Sequence, residues 1–194
     1  MLLLLPLMAR GQSHSAPVTI NASVSETVAL SVGESFAENN VRIESHGAGK
    51  TLGLMLSGSS TDVVTVSVPI LIRSNTSYKI SASVQSQAAV VANFAVIDAR
   101  RTGRFAAMDA LASLNVAQEC DSRTSNGTIR TAMSPAILAS SFSIMSGPRI
   151  SLAGTLNSMD NALEVTVLIE VKPEASANNW IIHLTLTSSA ARFS

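Results

Sequence analysis

His46-Gly47-Ala48-Gly49-Lys50-Thr51 ends in GAGKT, a run with the form of a phosphate-binding loop, and Phe94 to Asp98 (FAVID) has the form of an apolar strand closed by a magnesium-side Asp. The chemistry fails at two points. A phosphate cradle needs glycine at the first position of GxxxxGK[ST], and that position is Glu44, whose carboxylate repels phosphate. A helix must also follow, so that its N-terminus faces the anion. Here Leu52, Leu54 and Leu56 alternate around Gly53, which predicts a strand.

The remaining reactive side chains are dispersed. His14, His46 and His183 do not have the spacing of a metal site, and His183 falls on the outward register of the last strand. No GxSxG elbow singles out one serine as a nucleophile, and the thirteen acids are spread singly rather than paired for glycoside hydrolysis. Cys120 is the only cysteine, so an intrachain disulfide and a multi-cysteine metal site are both excluded, leaving a buried thiol or an intermolecular link. The sequence therefore nominates no catalytic residue, metal ligand or cofactor, and a non-enzymatic protein is expected.

Charge points the same way. Thirteen basic and thirteen acidic residues cancel, which gives no field to draw nucleic acid or an anionic membrane. Arg100, Arg101 and Arg104 form the one dense basic cluster, expected as a solvated loop. Only 13% of residues are charged, while 44 are Ser or Thr, so hydroxyl groups supply most of the polarity. Thr and Val suit pleated surfaces and Ser suits turns, whereas a helical chain of this length would carry more Glu, Lys and Arg.

The elements that must carry any site are accordingly strands. Val18, Ile20, Ala22 and Val24 alternate with Thr19, Asn21, Ser23 and Ser25, and the parity resumes at Val28, Leu30 and Val32 before Gly33. Further strands are expected at Val41–Ser45, Thr51–Leu56, Val63–Arg73, Tyr78–Gln85, Val90–Ile97, Gly127–Met133, Leu138–Ile144 and Arg149–Ala153. Pro69 interrupts the run Val63–Arg73 and predicts a partner switch, a bulge or an edge. Between Ile97 and Asn115 the alternation fails, and Phe105, Met108 and Leu111 recur at threes, as in a short helix or a packed loop. Val165 to Val171 and Trp180 to Leu186 alternate cleanly around the loop Pro173 to Asn179, and predict an antiparallel hairpin. The fold expected is an all-β, immunoglobulin-like antiparallel sandwich with an irregular or short-helical insertion near residues 99–115.

Met1 to Met8 (MLLLLPLM) is too short to span a bilayer and has the length of a secretory h-region, although no basic residues precede it. Small residues at Ala9-Arg10-Gly11 and Ser13-His14-Ser15 place a mature start near Gln12 or Ala16. Residues 1–15 are thus expected to be a signal peptide and residues 16–194 one domain, with no transmembrane segment in the mature chain. Its expected location is secreted, periplasmic or at the cell surface.

Ser67 to Val84 (SVPILIRSNTSYKISASV) and Asn161 to Ser189 resemble strand pairs of the immunoglobulin-like surface and pilus-type subunits that bacteria export, the spore coat protein U and chaperone-usher group. That resemblance implies a structural or adhesive surface subunit, with copies of itself or other subunits as partners. Subunits of the group often carry a disulfide, which the single Cys120 cannot supply. They also complete their sandwich with a neighbour's strand, and Val18, Ile20, Ala22 and Val24 have the alternation needed to add to an open edge, or to serve as an ordinary first strand. The alternative is a monomeric extracellular module that binds carbohydrate or protein.

Overall fold

The computed structural model describes residues 27–33, 36–45, 50–59, 63–86, 90–102, 110–120, 141–150, 162–173 and 179–191. The proposed signal peptide, the segment with Val18, Ile20, Ala22 and Val24, the glycine loop 46–49, the residues 103–109 of the proposed helix, and the strand expected at Gly127–Met133 lie outside them.

Among the described residues ten strands follow in chain order: β1 (Val28–Val32), β2 (Val41–Ser45), β3 (Thr51–Ser59), β4 (Val64–Ser74), β5 (Tyr78–Ser86), β6 (Val90–Arg101), β7 (Asn115–Val116), β8 (Phe142–Gly147), β9 (Leu163–Pro173) and β10 (Asn179–Ala190). They form a four-stranded sheet in the order β1-β4-β9-β6 and a six-stranded sheet in the order β2-β3-β10-β5-β8-β7, with every pairing antiparallel. The helical content among the described residues is two short 3-10 turns, Leu111–Ser113 and Gln118–Cys120. The fold is therefore the expected all-β sandwich.

Alternation builds its core. Val64, Val66, Val68, Ile70 and Ile72 of β4 and Val165, Val167, Ile169 and Val171 of β9 turn inward from one sheet, and Leu52, Leu54 and Leu56 of β3 and Ile182, Leu184 and Leu186 of β10 face them from the other. Each such side chain contributes about 1.5–3 kcal/mol on burial. Phe94 of β6 meets Phe142 of β8 across the core, with ring centroids 5.3 Å apart and planes tilted by 58°. Cys120 is buried in the same cluster.

Three expectations are corrected. The hairpin expected from Val165 to Leu186 does not form: β9 pairs with β4 and β6 in one sheet, while β10 pairs with β3 and β5 in the other. Both strands bury one face in the same core, which is all that their alternation encodes. The break in alternation after Ile97 is not the end of a strand. A β-bulge between Val96 and Asp98 inserts Ile97, leaves it 40% exposed, and shifts the buried position to Ala99, so β6 continues to Arg101. Arg149 and Ile150 belong to no strand, because β8 ends at Gly147 just before Pro148, whose ring removes a ladder donor.

Pro69 sits inside an unbroken β4, paired with Thr166 of β9. Its effect falls on the other neighbour. Val32 pairs with Ile70, so Gly33 comes opposite Pro69, and the Gly33 N–H donates to the Pro69 carbonyl at 3.2 Å. Pro69 has no N–H to return, and the Gly33 carbonyl instead accepts from Phe36 N–H at 3.0 Å. The strand β1 stops where its partner stops donating.

Candidate interaction edge

The sequence motifs resolve into structure. Thr51 begins β3 rather than a helix, and Lys50 contributes its carbonyl to Ser188 N–H at 2.7 Å. Asp98 is held by Arg100, with Nε 2.7 Å from Oδ2, the arginine largely in solvent and the aspartate partly so. Arg101 donates from Nη1 to the Ile150 carbonyl at 2.9 Å. His183 lies on the outer face of the six-stranded sheet as expected, and its Nδ1 is 3.0 Å from both carboxylate oxygens of Glu44. That contact spans β3 and straps edge strand β2 to β10, but with side chains 47% and 37% exposed it is a surface hydrogen-bond contact, ionic only when His183 carries a proton on both ring nitrogens. Among the described residues no three His, Cys, Asp or Glu side chains converge on a metal-sized site. None of their helices is long and apolar enough to cross a membrane.

The sheet edges and faces are the other surfaces on which a contact could form. An edge strand presents unpaired N–H and C=O groups, and natural proteins blunt it by brevity, charge, proline or bulges. Edge strand β1 has five residues and ends opposite Pro69. Edge strand β7 has two residues. Edge strand β2 has five, carries the exposed charges Arg42 and Glu44, and is irregular between Ile43 and Ser45. A shallow cavity of about 400 Å³ between Phe36, Glu38, Val41 and Ile43 lies beside it.

The fourth edge is different. Strand β6 is twelve residues long, and its first eight, VVANFAVI, contain no charge, proline or glycine. Val90, Ala92, Phe94 and Val96 face the core, and Val91, Asn93 and Ala95 alternate with them on the other face, the first two half-buried and Ala95 buried. The far end is occupied: Ala110 N–H donates to the Ala99 carbonyl at 2.9 Å, and the two 3-10 turns lie against this strand. Over Val90–Ala95, among the described residues, the only strand paired with β6 is β9. At its middle, Asn93 Nδ2 donates to Glu170 Oε1 at 2.9 Å, while Asn93 Oδ1 is shut from solvent and receives no hydrogen bond.

The outer face of the six-stranded sheet shows where the Ser and Thr residues go. Thr51, Thr187, Ser81 and Ser143 form one row across four strands, with Gly53, Thr185 and Ser83 in a second and Ser189, Lys79, Ser146 and Asn115 in a third. Neighbours within a row are about 4.8 Å apart, one strand spacing. The face offers hydroxyl groups with little charge and, among these residues, no aromatic ring.

No protein-family model, curated protein or solved structure matches this chain.

Proposed function

We propose that the chain is an exported structural or adhesive surface module that joins neighbouring subunits by strand addition at β6. The observation that carries this reading is the contrast among the four edges. Three are blunted by shortness, charge or proline, and the longest carries none of these devices over Val90–Ala95. Long uncharged edges are templates for another strand, whose main chain supplies the hydrogen bonds and whose alternate side chains supply specificity.

A strand that adds there needs apolar residues on one parity, to continue the inner row of Val90, Ala92 and Phe94, and uncharged residues on the other. Stretches of that kind include β6 itself and the segment with Val18, Ile20, Ala22 and Val24. Sizing the protein over a concentration series tests the reading. Mass must rise with concentration, and a species that stays monomeric throughout overturns it.

The hydroxyl rows favour a second reading, a monomeric module for neutral glycans, since an uncharged surface of donors and acceptors complements sugar hydroxyls. Binding on a glycan array by a protein that stays monomeric supports that reading against the first.

A further inference from the structure

We propose that two copies of this chain pair β6 with β6 as antiparallel strands about a twofold axis at Asn93, joining two four-stranded sheets into one of eight strands. The inference rests on the reading of β6 as the association edge and names the strand that occupies it.

A twofold contact must be self-complementary, because each residue meets the symmetry mate of its own partner. With Asn93 at the centre, Val91 comes opposite Ala95 of the second copy, and Ala92 comes opposite Phe94 of the second copy. Each pair sets a large side chain against a small one, on the outer and inner face respectively. Centring on Ala92 instead would set Val90 against Phe94, and centring on Phe94 would stack two phenyl groups on the axis. An axis perpendicular to the sheet keeps the inner face of both copies on the same side, so the apolar row Val90, Ala92, Phe94 continues across the junction. Pairing over Val91–Ala95 also stops short of the bulge at Ile97 and of the Ala110 contact that covers Ala99.

Asn93 supplies the polar argument. Its Nδ2 has a second N–H beyond the one given to Glu170, and its Oδ1 has no donor. Directly paired residues on one face have Cβ atoms about 5 Å apart, so the two Asn93 amides can exchange Nδ2–H to Oδ1 bonds after a small rotation. A buried acceptor left unsatisfied in the single chain then gains a partner in the pair. Glu170 does not oppose the contact. The two copies of Glu170 are three strand spacings apart, about 14 Å, which exceeds the screening length at physiological salt.

Cysteine cross-linking tests the register. Asn93→Cys brings two Cβ atoms within disulfide reach on the axis and is expected to oxidise to a covalent dimer. Val91→Cys alone must not, since its copies lie four residues apart along the paired strands, whereas Val91→Cys mixed with Ala95→Cys must. The unsubstituted chain, with Cys120 buried, is the background control. Asn93→Asp sets two carboxylates face to face and is expected to weaken association about tenfold or more at neutral pH, with the far-UV spectrum unchanged. If the unsubstituted chain associates but Asn93→Cys gives no covalent dimer, the symmetric pairing is overturned and the edge reading stands. Loss of association on deleting residues 16–26 then identifies that segment as the added strand. If the unsubstituted chain does not associate at any concentration, both fall together.

Discussion

Trp180 of β10 and Gly58 of β3 are directly paired across the six-stranded sheet, and the indole fills the space that a side chain at position 58 would need. The indole Nε1–H, buried with the rest of the ring, donates to the Ser59 carbonyl at 2.9 Å. A second pair repeats the arrangement: Tyr78 of β5 faces Gly147 of β8, where an added Cβ would lie 2.5 Å from the phenol oxygen and 2.9 Å from Leu114. In both, glycine is required for its missing volume.

Gly58→Ala is therefore expected to destabilise the fold by about 1–3 kcal/mol, the usual range for overpacking. Trp180 is the only tryptophan. Its emission, blue-shifted in the native protein, should shift red in this variant, and a lower midpoint in urea should accompany the change.

Tyr78 is buried and its hydroxyl has no hydrogen-bond partner. Burial raises its pKa well above the ordinary phenol value of about 10, against a smaller opposing pull from the nearby Arg101 charge. The folded state holds the phenol proton more tightly than the unfolded state. This contribution to stability is therefore complete below about pH 10 and declines as pH rises above it toward the folded value. Tyr78 is also the only tyrosine, so phenolate absorbance reports this group alone, and it should appear together with unfolding. Tyr78→Phe should be neutral or up to about 1 kcal/mol stabilising at neutral pH and should flatten the alkaline decline.

Val91→Lys places a charge on the outer side of β6, where natural edges carry one. Association in the sizing experiment should disappear, while thermal unfolding at low concentration moves by no more than about 1 kcal/mol. Association that persists in a well-folded Val91→Lys protein places the contact on another surface.

Glu44→Gln removes the carboxylate that faces His183. Both side chains are substantially exposed, so the loss should be below about 1 kcal/mol and should shrink in high salt. Urea midpoints at two ionic strengths measure it.

Strand existence was legible wherever one face is buried, as at Val64–Ser74 and Asn179–Ala190, because period-two alternation follows directly from burial on one side. Partner choice was not. The alternation of β9 and β10 records that each faces a core, without recording which strand lies alongside, so a short intervening loop suggested a hairpin between strands of different sheets. The bulge at Ile97 hid the last part of β6 by shifting its parity. Of the candidate edge, the uncharged run Val90–Ile97 was visible in the sequence. Its position at the margin of a sheet is a property of the assembled fold, and so is the side-chain amide of Asn93, with Nδ2 held by Glu170 of β9 and Oδ1 unsatisfied.

The place of β10 in the six-stranded sheet has a kinetic side. It is the last of the described strands in chain order, yet it lies between β3 and β5 and hydrogen-bonds to both. Leu54 must therefore find Leu184, and Val68 must find Val167, across long stretches of intervening chain. Such contacts repay their loop-closure entropy late, and they put folding in the millisecond-to-second range typical of sandwiches. A chain still emerging N-terminus first holds only separate halves of this sheet, with β3 and β5 lacking the strand that joins them. Completion of the six-stranded sheet therefore waits for β10.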